Sequence, residues 1–123
     1  MDIIAERISD SELEVMKLLW RNSPLTSTEI REELQETMGW EATTIKTLIS
    51  RLVHKEAVSQ EKQKVFYYRP LITETEYNGW ATGRLIDKLY KGSAKAMVAA
   101  LVDSQGLSEG DIAELRALFN VED

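Results

Sequence analysis

Between residues 41 and 70 the chain changes its hydrophobic period, and few folds accommodate that change. In EATTIKTLISRL, the apolar residues Ile45, Leu48, Ile49 and Leu52 fall at i, i+3, i+4 and i+7, the spacing of one helical face. Just after it, AVSQEK and KVFYYRP are rich in Val, Phe and Tyr and flank the polar EKQK. That is the pattern of a two-stranded hairpin turning around Gln63, with Pro70 closing its second strand. The turn contains neither Asn-Gly nor Asp-Gly, which leaves its type open.

Upstream, Ser9 and Glu12 form a capping box ahead of Leu13, Met16, Leu19 and Trp20, which predicts a helix from Asp10 to about Arg21. Thr26 and Glu29 repeat the device before Ile30, Leu34 and Met38, and Gly39 stands where a helix would stop. A third helix runs from Ala42 to about Glu56. Three short helices followed by a hairpin describe a winged helix-turn-helix. From Thr73 the pattern is helical again. Thr73 and Glu76 open a helix to about Tyr90, Ser93 caps the next, and GLSEGD precedes a last one.

The expected fold is therefore mainly α with a small β-hairpin. A winged helix-turn-helix domain occupies residues 1–72, and a helical domain occupies residues 73–123. Helices of this size bury a poor core alone. Sharing it with a second copy is the better solution, since symmetric homodimers are the commonest soluble oligomers. The residues expected at that interface are Trp80, Leu85, Leu89, Met97, Val98, Leu101, Ile112, Leu115 and Phe119. Trp20, Trp40, Phe66 and Tyr68 are expected to pack in the first domain.

The outer face of the third helix is unusual for a surface that meets only water. It carries Thr43, Thr44, Lys46, Thr47, Ser50, Arg51 and His54, where Glu, Lys or Ala would propagate a helix better than Thr. Net charge is −6, which argues against nucleic acid until its distribution is considered. From Glu41 to Ile72, six bases (Lys46, Arg51, Lys55, Lys62, Lys64, Arg69) face three acids (Glu41, Glu56, Glu61). That leaves +3 in this segment against −9 elsewhere.

A helix of this kind fits the major groove, where hydroxyls bond phosphates or base edges and a threonine methyl packs on thymine. Double-stranded DNA is the expected partner. Ser27 and Thr28, opening the second helix, would offer hydroxyls and N–H groups to a phosphate. Arg51 either meets DNA or pairs with an acid to brace the helices. Lys62 and Lys64, at the hairpin tip, either meet DNA or only protect a strand edge from aggregation. A winged helix that docks on protein is the alternative reading, since fold does not dictate function.

Catalysis, metal and cofactor find no residues to carry them. There is no cysteine and no glycine-rich phosphate loop, and His54 is the only histidine. No basic-then-apolar leader is evident, and the longest apolar run, AMVAALV, is too short to span a bilayer, so a cytoplasmic location without membrane insertion is expected.

ISDSELEVMKLLW, ATTIKTLISRLVHKEAV and VFYYRPLITETEY together resemble the penicillinase-repressor family, and YKGSAKAMVAALVDSQGLSEGDIAELRALF follows that family's looser dimerisation pattern. The resemblance implies a homodimeric winged-helix repressor that covers a promoter palindrome until a signal releases it. It places the recognition positions at Thr43, Thr44, Lys46, Thr47 and Ser50, followed by Arg51, and the wing at Val58 to Arg69. Three departures stand out. HKEAV puts Ala57 where the family usually has a left-handed glycine, so the third helix is expected to end differently. Members that sense β-lactams are cleaved at an Asn-Phe bond, yet Asn22, Asn78 and Asn120 are not followed by Phe. Copper-responsive members use Cys-x-Cys motifs, and this sequence has no cysteine. The inducer, and any upstream sensor or protease, stays open.

Overall fold

The computed structural model describes residues 4–104 and 106–119, the side chain of Phe119 excepted. After a 3-10 turn at Ile4–Arg7 come α1 (Asp10–Arg21), β1 (Leu25–Thr26), α2 (Ser27–Met38), α3 (Ala42–His54), β2 (Val58–Lys62), β3 (Phe66–Pro70), α4 (Glu74–Tyr90), α5 (Ala94–Asp103) and α6 (Glu109–Phe119). The chain divides into two compact units, one ending at Ala81 and the other beginning at Thr82.

Local chemistry sets the helix starts. At α1, Glu12 N–H donates to Ser9 Oγ at 3.2 Å while Ser9 N–H donates to Glu12 Oε1 at 2.9 Å. The same reciprocal pair opens α2 through Thr26 and Glu29 and α4 through Thr73 and Glu76. Each satisfies two N–H groups that a helix start leaves without partners. At the end of α2, Gly39 takes the left-handed conformation (φ 70°), which costs a glycine little.

The end of α3 differs from the family pattern, as the missing glycine led one to expect. The left-handed residue is Glu56 (φ 64°), not Ala57. Ala57 N–H reaches Leu52 O at 3.0 Å and Glu56 N–H reaches Val53 O at 3.0 Å, the two bonds of a Schellman motif with glutamate at its left-handed position. An L-residue there costs on the order of 1 kcal/mol. Glu56→Gly is expected to stabilise the protein by about 0.5 to 1 kcal/mol, read as a higher urea midpoint. An unchanged or lower midpoint would show that Glu56 carries a compensating interaction.

One face of each helix in the first unit meets the sheet in a single core. Val15, Met16 and Leu19 come from α1, Ile30 and Leu34 from α2, and Ile45, Leu48, Ile49 and Leu52 from α3; Ala57, Val58 and Tyr68 join them. The expected hairpin gains a third strand, giving the antiparallel order β1-β3-β2 with Leu25 opposite Tyr68 and Lys62 opposite Phe66. Tyr68 is buried as expected, but Phe66 is 42% exposed at the turn end of the hairpin, with Lys62 Nζ 5.7 Å from its ring centre.

Glu12 is buried to 1% exposure, and its carboxylate receives Lys55 Nζ at 2.7 and 2.9 Å. Lys55 also donates to Arg7 O at 2.7 Å, so one ammonium ties the 3-10 turn and α1 to the end of α3. Burial pushes the Glu12 pKa up. The hydrogen bond from Lys55, those from Ser9 and the Lys55 charge outweigh it and hold the carboxyl below its ordinary value.

The division between units falls later than the sequence boundary at Ile72 and Thr73, and aromatic packing is the reason. Trp20 Nε1 donates to Ile72 O at 2.8 Å, and its ring meets Tyr77 at 5.7 Å, which in turn meets Trp80 at 5.8 Å. Trp80, expected among the dimer helices, thus packs in the first unit. The second unit is different in kind. No residue of α4 or α5 is fully buried, and Leu85, Leu89, Val98 and Leu101 are all exposed. Met97, Ile112 and Leu115 are half-buried. The expected contact at Phe119 lies outside the described residues, because its side chain is not described.

Candidate nucleic-acid interface

The four buried residues of α3 leave its other side free, so Thr43, Thr44, Lys46, Thr47, Ser50 and Arg51 are all exposed on one short helix. The helix stands as a ridge between two hollows. On one flank, Thr43, Thr44, Thr47, Leu48 and Arg51 line a shallow depression. On the other, a cleft of about 600 Å³ runs between α3, the start of α2 and the sheet, and Ser27, Thr43, Lys46 and Ser50 line it. Thr28 is exposed in the first turn of α2 but lines neither hollow, and Lys62 and Lys64 sit apart at the hairpin end.

Ion pairing sorts the six bases of this region. Lys55 is taken by Glu12, and Arg69 Nε donates to Glu61 at 3.1 Å. Among the described residues, no acid pairs with Lys46, Arg51, Lys62 or Lys64. Arg51 is thus exposed and without an acidic partner among the described residues. The free cations lie on α3 and the wing, while the neutralised ones serve the fold. The Thr47 hydroxyl donates to Thr43 O at 2.9 Å, one turn back along α3.

The cleft also contains side chains that the sequence reading did not assign to DNA. Arg31 enters from α2, His54 from the end of α3, and Gln60 from β2, its amide donating to the Tyr68 phenol oxygen at 2.9 Å. Arg31 carried a readable signal, because it lies four residues after Ser27 on the same helical face. Gln60 carried none, since only strand pairing brings it beside α3. Among the described residues, no group of three or more His, Cys, Asp or Glu is placed to hold a metal ion, and no helix is long and apolar enough to cross a membrane.

Known proteins match this arrangement closely. The penicillinase repressor family description matches residues 8–120. The penicillinase repressor of Bacillus licheniformis is 36% identical over 110 residues, covering 89% of this chain and 86% of that one. The methicillin resistance regulatory protein MecI of Staphylococcus aureus (strain N315) is 35% identical, with 98% of each chain covered. Among solved structures, the DNA-binding domain of the repressor BlaI superposes with a TM-score of 0.55 at 42% identity, covering 63% of this chain and 94% of that one. The monomeric Bacillus licheniformis BlaI in complex with the blaP half-operator gives 0.52 at 44% identity, covering 57% of this chain and 87% of that one. By these likenesses and its winged helix-turn-helix fold, the chain belongs to the penicillinase repressor family.

Proposed function

We propose that the chain is a dimeric transcriptional repressor that covers a palindromic promoter operator in the cytoplasm until an inducing signal releases it. The observation that carries this reading is the α3 ridge, where hydroxyls and unpaired cations stand together on a protein of net charge −6. In the reading, α3 enters the major groove with Thr43, Thr44, Thr47 and Ser50 at base edges. Lys46 and Arg51 flank it, Ser27 and Thr28 meet a phosphate, and Lys62 and Lys64 bring the wing to the backbone. The likeness to BlaI, whose monomeric form was solved in complex with the blaP half-operator, supports operator DNA as the partner.

The exposed apolar residues of the second unit support the dimer. Leu85, Leu89, Val98 and Leu101 have no core of their own to enter, and a second copy would cover them together with Met97, Ile112 and Leu115. In this reading dimerisation is chiefly the work of residues beyond Ala81, with the half-buried Trp80 at their near end. Two such subunits would read half-sites whose centres lie about 10 bp, or a multiple of that, apart.

Fluorescence anisotropy against DNA from upstream of the chain's own gene, with a shuffled duplex as control, tests the reading. Binding is expected to be salt-sensitive and on the order of 1,000-fold tighter for the native duplex. Thr47→Ala is expected to cost about 1 kcal/mol on that duplex and almost nothing on the shuffled one. Equal losses on both would remove its base-reading role. Weak, equal binding of the unaltered protein to both duplexes would favour a winged helix that docks on protein.

A further inference from the structure

The cleft beside α3 has more room and a more apolar lining than a DNA phosphate needs. At about 600 Å³ it lies within the size range of small-molecule sites. Three basic side chains from two helices, Arg31, Lys46 and His54, line it, and no carboxylate does, although the chain is acidic overall. Ile49, Val53 and Tyr68 line the same space. A phosphodiester would use the charge and leave that apolar surface unfilled. A molecule with an anionic head and an apolar body would use both.

The geometry points to an effector site in this cleft for a small carboxylate with an apolar body of aryl size. Its anionic head is held by Arg31, Lys46 and His54, and its body lies against Ile49, Val53 and Tyr68. Lys46 and Ser50 line the cleft and also belong to the DNA-facing surface of α3, so ligand and operator compete. Occupancy then releases DNA without breaking any bond, in a chain that has neither an Asn-Phe bond nor a cysteine. The release function rests on the DNA-binding reading; the ligand site itself does not.

The probe is 2-naphthoate, with uncharged 2-naphthamide as control, applied to the full-length protein. In ¹⁵N-labelled protein, 2-naphthoate is expected to move the amide signals of Arg31, Val53 and Tyr68 saturably, and the amide control is not. In the anisotropy assay 2-naphthoate is expected to raise the apparent Kd for the upstream duplex about tenfold or more, and Arg31→Gln to cut that rise to about twofold or less. Val53→Trp, which fills the cleft, carries the same expectation; should it fail to fold, the partly exposed Arg31→Gln still decides. No saturable signal change at these residues overturns the site. Signal changes with no rise in Kd overturn the effector role, and an equal rise in the unaltered protein and Arg31→Gln overturns the assignment to this cleft. Absence of any DNA binding, with the signal changes intact, would sink the repressor reading and leave the ligand site standing.

Discussion

Lys55→Met is expected to destabilise the protein by about 3 kcal/mol at neutral pH, because it strands the Glu12 carboxylate in the core. The response to acid should also reverse. In the unaltered protein the folded Glu12 pKa lies below its unfolded value of about 4.5, so the contribution is complete above that pH. It is lost as pH falls through the folded value. In Lys55→Met the burial that pushes the carboxyl up loses its main opponent, so the folded value is expected to rise. That variant's deficit should then shrink as pH falls from 7 toward 4, while the unaltered protein holds its stability and then loses it. Adding Glu12→Gln should recover part of the loss, since glutamine keeps the cap to Ser9 and removes the stranded charge. Urea unfolding at one fixed protein concentration, across that pH range, is the measurement. Parallel pH profiles would show that the pair has little part in stability.

Joint replacement of Lys46, Lys62 and Lys64 by glutamine is expected to weaken binding to native and shuffled duplexes alike, on the order of 100-fold at low salt. The slope of log K against log salt should fall by about three, near one for each phosphate contact removed. None of these lysines has an acidic partner among the described residues, so no ion pair is lost in the exchange. Unchanged affinity with increased aggregation would instead assign Lys62 and Lys64 to guarding the sheet edge, where β2 lies.

Features encoded over three or four residues were legible in the sequence. The Ser9–Glu12, Thr26–Glu29 and Thr73–Glu76 boxes are local patterns, and the structure forms all three. The hydroxyl-rich face of α3 was legible for the same reason, because helical periodicity alone turns it away from Ile45 and Leu52. What failed depends on distant partners. β1 is only Leu25–Thr26 and exists because β3 offers it an edge. Lys55 was counted in the basic excess of residues 41–72, yet its charge is spent on Glu12, 43 residues away. Glu12 already had a capping role, and nothing nearby announces a second one. Trp80 was expected among the dimer helices, and its packing on Tyr77, which itself meets Trp20, is a contact that local spacing does not announce.

The hydrogen bond inside α3 bears on which base the protein tolerates. With its proton committed to Thr43 O, the Thr47 side chain offers the groove only an oxygen lone pair and a methyl group. Adenine N6 and cytosine N4 can donate to that oxygen, and the thymine methyl can lie against the threonine methyl. Guanine shows two acceptors on its major-groove edge and would oppose lone pair with lone pair. If Thr47 faces a base edge, the discrimination there is a refusal of guanine, enforced before DNA arrives by a bond the helix makes with itself.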